Sequence, residues 1–139
     1  LKVISQYPQL QNIYLNDNCF TDNGAVSLGV FKNARKVDLS RNRITSIDIS
    51  YLPLEYLEIL QVKFLALGNE GLLKISGASK LYHLNICGVG LDDNAIDILS
   101  RMKTLRKLDI SYNKFSKEGF ARLRKQLPET QILAEYMIE

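Results

Sequence analysis

One histidine and two cysteines are all that these 139 residues hold of those types, and each scarcity removes a class of chemistry. A lone histidine, His83, does not make a zinc site, which needs several protein ligands. The tempting nucleophile, Cys87, stands four residues on in the same run. At about 3.3 Å per residue an extended strand holds the two roughly 13 Å apart, beyond the reach of a Cys–His pair. Asp92 and Asp93 stand together, as the start of a helix would place them, rather than as an acid–base pair. No catalytic residue, metal or cofactor is assigned. With only Cys19 and Cys87 available, the chain reads as carrying free thiols in a reducing compartment, hence as cytoplasmic or otherwise intracellular, a translocated bacterial effector included. Apolar runs long enough to cross a membrane are missing, as is a signal-peptide pattern. No phosphate-cradling GxGxxG or GxxxxGK occurs. The net charge of +3, from 18 Lys+Arg against 15 Asp+Glu, is too small an excess to argue for nucleic acid or an anionic membrane.

What is present is ordinary in composition, 46% hydrophobic and 24% charged, and long enough to bury a core without staples. Its order is not ordinary. Four segments line up by self-similarity: LQNIYLNDNCF from Leu10, ARKVDLSRNRI from Ala34, LYHLNICGVGL from Leu81 and LRKLDISYNKF from Leu105. Each is apolar at places 1, 4, 6 and 11, and Asn18, Asn42 and Asn113 take place 9 in three of them, with Val89 in the fourth. The gap between Ala34 and Leu81 holds a further unit in one of two registers, from Leu54 or from Leu57. The Leu57 register, LEILQVKFLAL, spaces the units by 23 or 24 residues and aligns Gly71 with Gly24 and Gly119. It is the one adopted, with units from residues 10, 34, 57, 81 and 105, a half unit over 1–9 and a partial unit over 129–139.

The first half of each unit alternates apolar and polar residues, as a short strand with one buried face does. The second half spaces its apolar residues helically, as Phe120, Leu123 and Leu127 do. Ser116 is a candidate helix start, with Asp22 and Asp92 at corresponding places, and Pro128 follows the expected helix end. The second unit reads TSIDISYLPLEY with no glycine, so a shorter turn or an extended stretch is expected there. Neither end looks capped, so the chain is expected to be one repeat domain from a longer protein, with homo-association through the bare ends as a possible partner contact.

The repeated LxxLxLxxNxL pattern resembles the leucine-rich-repeat family, and the second halves TDNGAVSLGVF and SKEGFARLRKQL resemble its ribonuclease-inhibitor-like subtype. The resemblance covers nearly the whole chain. It implies an α/β solenoid with a curved parallel sheet on the concave side and helices on the convex side. Leu10, Ile13, Leu15, Val37, Leu39, Leu60, Val62, Leu84, Ile86, Leu108 and Ile110 are then the sheet side of the core. Asn18, Asn42 and Asn113 are a structural ladder bonding the adjacent loop, interrupted by Leu65 and Val89.

Places 3, 5, 7 and 8 are left to face outward from the concave sheet. They supply the candidate partner-binding residues Tyr14, Asp38, Arg41, Ile59, Phe64, His83, Lys107, Asp109 and Tyr112. Exposed aromatics among polar groups are the composition of binding hot spots. Mixed charge beside them suits a protein rather than a nucleic-acid backbone. The family resemblance therefore implies a protein–protein interaction module of scaffold type. A regulatory subunit or effector acting on a GTPase or ubiquitin-ligase partner is the alternative.

Overall fold

The computed structural model describes residues 3–46 and 48–136. A 3-10 turn, Ile4–Gln6, leads into β1, Asn12–Tyr14. Four strands then recur once per unit: β2 (Lys36–Asp38), β3 (Ile59–Gln61), β4 (His83–Asn85) and β5 (Lys107–Asp109). The partial unit adds β6, Gln131–Leu133. All six lie in one sheet in chain order, each parallel to the next. Asn12, Lys36, Ile59, His83, Lys107 and Gln131 are register partners across it. The third unit therefore begins at Leu57, and the Leu54 alternative falls.

Parallel strands need a crossover, and the second half of each unit supplies it. The crossovers contain α1 (Asp22–Ala25), α2 (Gly68–Ile75), α3 (Ile96–Leu99) and α4 (Lys117–Gln126). In the second unit a 3-10 segment, Asp48–Tyr51, replaces the helix. Its buried Asp48 carboxylate accepts from the N–H and the hydroxyl of Thr45, both at 3.2 Å, which closes the turn. Ser116 caps α4 by accepting the Gly119 N–H at 2.9 Å, and the Asp92 carboxylate accepts the Asn94 N–H at 2.9 Å. The expected correspondence of Asp22 is corrected. Thr21 holds the cap position, Asp22 is the first residue of α1, and its side chain lies outside the described part. Gly119 is required by a close approach: a Cβ there would meet the Asp93 carboxylate and Ile96 of the preceding unit.

The core runs between sheet and crossovers. Val37, Leu39, Leu60, Val62, Leu84, Ile86, Leu108 and Ile110 are buried on the sheet side, facing Leu28, Phe31, Ile49, Leu72, Ile75, Ile96, Leu99, Phe115 and Leu123. Two assignments change. Leu15 is only partly buried, and Leu10 is exposed, since both belong to the unit whose strand, β1, is the edge of the sheet among the described residues.

Asparagine side chains stitch the loops that follow the strands. The Asn42 amide donates to Leu39 O and, across to the first unit, to Leu15 O, both at 2.8 Å, and its oxygen accepts the Phe20 N–H at 3.2 Å. Asn113 donates to Ile110 O at 2.9 Å and to Ile86 O at 2.8 Å, and accepts from Gly90 and Leu91 at 3.0 and 2.9 Å. Asn18 is exposed and, among the described residues, bonds only within its own unit, to Leu15 O and Asn16 O. Where Leu65 and Val89 stand instead, both side chains are buried, and the Gly68 N–H donates to Val89 O at 2.9 Å, so backbone replaces amide.

Candidate interaction surface

At place 8 the chain leaves each strand, and every residue there takes a left-handed conformation: Asp17, Arg41, Phe64, Tyr112 and Tyr136 have φ between 55° and 57°, and Gly88 has 64°. The conformation aims the backbone for the next loop. The N–H of each place-8 residue from Asp17 to Tyr112 donates to the carbonyl at place 7 of the following unit at 2.9–3.0 Å. None of the six is β-branched, as the steric limits of that region demand. That absence was the available sequence signal for this row.

The geometry turns the place-8 side chains into one continuous ridge. Arg41 pairs with Asp17 at 3.4 Å and lies over the Phe64 ring at 5.7 Å. The Phe64 ring meets Tyr112 edge-on, 6.2 Å between centroids at 61°. Two strand spacings would hold these rings about 9.6 Å apart. They close up because Gly88 stands between them: a Cβ there would be 2.5 Å from the Phe64 ring, so the ring lies where a side chain would be. Tyr136 continues the ridge at 4.3 Å from Tyr112. Sequence reasoning passed over Tyr136, which sits in the partial unit. All three aromatics are open to solvent, Phe64 at 46%, Tyr112 at 49% and Tyr136 at 71%. Tyr14 is exposed too, but it stands at place 5 of β1, apart from this ridge.

Places 5 and 7 form a second, internal system. Asp38, Asn85 and Asp109 accept the N–H two residues on, from Ser40 (2.9 Å), Cys87 (3.1 Å) and Ser111 (3.0 Å). Gln61 and Leu133 offer no such short acceptor. There the place-7 N–H groups, of Lys63 and Glu135, are taken by the Ser40 and Ser111 hydroxyls of the preceding unit, at 3.1 and 3.0 Å. Ser40, Cys87 and Ser111 are buried, which corrects the expectation that they lie on the open face, whereas Asn16 and Lys63 at the same place are exposed and half-buried. Asp109 is occupied at both oxygens, since it also accepts the Asn85 amide at 3.2 Å.

The match to known proteins agrees with this geometry. The Leucine Rich repeat family model matches residues 10–29 and 101–121. A leucine-rich-repeat protein of Leptospira interrogans superposes with a TM-score of 0.63 at 20% identity, over 93% of this chain and 38% of that one. An internalin of Listeria monocytogenes gives 0.68 at 15% identity, over 98% of this chain and 45% of that one. The chain has the fold of a leucine-rich-repeat solenoid. Actin-binding site 2 of leiomodin-1 shares the fold with a TM-score of 0.67 at 16% identity, over 92% of this chain and 85% of that one. The solenoid spans less than half the length of the Leptospira and Listeria proteins. No curated protein matches its sequence.

Electrostatics separate the titratable groups of the solenoid. Burial, then Lys107, hold the half-buried His83 below its ordinary value, against the pull of Asp109. Burial pushes the Cys87 thiol up, so it is a poor nucleophile, while Cys19 is exposed. The Asn16 amide, then Arg41, lower Asp17. A hydrogen bond with Tyr136 is the main reason the Tyr112 phenol is raised to about 12. Ile59 and His83 lie side by side between Lys36 and Lys107, all four in one row at place 3.

Proposed function

We propose that the solenoid is a protein–protein interaction module that holds a partner protein against its concave sheet face, with no chemistry of its own. The observation that carries this reading is the exposed ridge Arg41, Phe64, Tyr112, Tyr136. Water gains nothing from ordered, contacting aromatic rings, whereas a partner side chain gains apolar area and quadrupole contacts together. Tyr14, Ile59, His83 and Lys107 extend the docking face across the strands. Asp38 and Asp109 contribute less directly, since their carboxylates hold backbone. Helical second halves in four units support assignment to the ribonuclease-inhibitor-like subtype, with the second unit as its departure.

Affinity capture from cell extract tests the reading. The parent protein is compared with a Phe64→Asp, Tyr112→Asp double variant shown to unfold with the same cooperativity. The expected outcome is a captured protein lost with the double variant. Identical capture by both would remove the concave ridge as the docking site.

A further inference from the structure

The open face is neither uniformly charged nor balanced once internal bonds are counted. Its carboxylates keep their charge but are engaged within the protein. Asp38 and Asp109 accept backbone N–H groups, Asp17 takes the Asn16 amide and Arg41, and Glu58 pairs with Arg35. Its lysines are not: among the described residues Lys36, Lys63 and Lys107 form no ion pair. Places 2 and 3 of the six strands hold Arg35, Lys36, Arg106 and Lys107 against Glu58 alone. Arg106 is held in place by donating to the Lys103 and Leu105 carbonyls, both at 3.1 Å. The surplus of positive charge is therefore concentrated at the N-terminal ends of the strands, away from the aromatic ridge.

The row at place 3 orders this surplus as Lys36, Ile59, His83, Lys107. At about 4.8 Å per strand the two lysines stand roughly 14 Å apart. An extended chain laid across the strands advances about 3.3 Å per residue and turns alternate side chains to one side. Residues i and i+4 of such a chain, on the same side, span roughly 13 Å, with i+2 between them. We infer that this row binds an extended partner segment of the form acidic–x–apolar–x–acidic, its carboxylates on Lys36 and Lys107 and its apolar side chain over Ile59 and His83. The inference rests on the interaction-module reading and names the chemistry of the segment that reading requires.

Selection from a displayed library of random peptides on the intact chain tests it. Enriched sequences are expected to carry Asp or Glu at i and i+4 around an apolar residue. A synthetic peptide from that pool should bind about tenfold more weakly to a Lys36→Glu, Lys107→Glu variant, and more weakly as salt rises. It should also shift the ring signals of His83, the one histidine of the chain. Neutral or basic enrichment, no enrichment, or indifference to the charge reversal would overturn the inference. So would displacement of the peptide by a single-stranded oligonucleotide at equal concentration, which would make phosphate the ligand. The two readings separate cleanly. Partner capture that depends on Phe64 and Tyr112 alongside any of these failures leaves the interaction module standing and removes the acidic segment.

Discussion

Place 8 shows how one backbone angle decides what a residue can do. Phe64 and Tyr112 are exposed because their φ near 57° turns them out of the strand, and they touch because Gly88 between them has no side chain. Tyr112 then reports on the ridge. Its phenol ordinarily ionises near 10 and is raised to about 12, chiefly by Tyr136. A raised value favours the protonated phenol in the folded state. Its stabilisation is therefore complete below pH 10 and is lost as pH rises through about 12. NMR titration of the tyrosine ring carbons should show Tyr112 ionising near 12, and Tyr136→Phe should return it toward 10. Ionisation near 10 in the parent would mean that the two rings do not meet in solution. The exposure of these residues was legible from their place in the repeat. Their mutual contact was not, because it joins units that are not neighbours in sequence.

Elements are tied together unevenly along the solenoid. Asn42 joins the first unit to the second and Asn113 the fourth to the fifth, while Leu65 and Val89 leave the middle loops joined by packing and backbone. An asparagine at place 9 predicts a loop partner from sequence. Whether it reaches the neighbouring unit depends on whether a unit is stacked there. Asn113→Ala strands the Gly90 and Leu91 N–H groups and the Ile86 carbonyl, so unfolding by denaturant should show a loss of about 1–3 kcal/mol. Asn18→Ala, at an exposed site bonding only its own unit, should fall within about 0.5 kcal/mol of the parent. Equal losses at both would mean that the bonds across units contribute nothing. That the second unit has a shorter second half was readable from its missing glycine. The form of the replacement, a 3-10 turn closed by Asp48 on Thr45, was not, since it depends on burying a carboxylate beside the hydroxyl that satisfies it.

For the molecule as a whole, stability is a property of stacking. A unit alone cannot cover its apolar places, and each is buried by the units on either side. Leu57 and Leu60, at places 1 and 4 of the middle unit, are 0% exposed, whereas Leu10, at place 1 of the first unit, is 36% exposed. Leu60→Ala should therefore cost about 2–5 kcal/mol, by lost transfer energy and the cavity left behind. Leu10→Ala should cost under about 1 kcal/mol. Equilibrium denaturation of the two variants checks the contrast. Similar losses would mean that the described residues do not account for how Leu10 is covered in solution.

By itself the sequence determined the repeat, its spacing and its two faces. Apolar residues recurring at places 4 and 6 share one face of a short strand, the leucine-rich-repeat resemblance implied that these strands stack in parallel, and Gly71 aligned with Gly24 and Gly119 singled out the Leu57 frame. Tertiary structure alone decided which outward residues are free. Asp38 and Asp109 look like surface acids in a linear reading, yet they are bound to the N–H groups of Ser40 and Ser111. Ser40 and Ser111 are buried at a place where alternation suggested exposure, because the N–H groups of Lys63 and Glu135 need their hydroxyls. The reason is one of range. Hydrophobic periodicity is written within each unit, but a hydrogen-bond partner or a ring contact comes from the unit alongside, and only stacking brings it within reach.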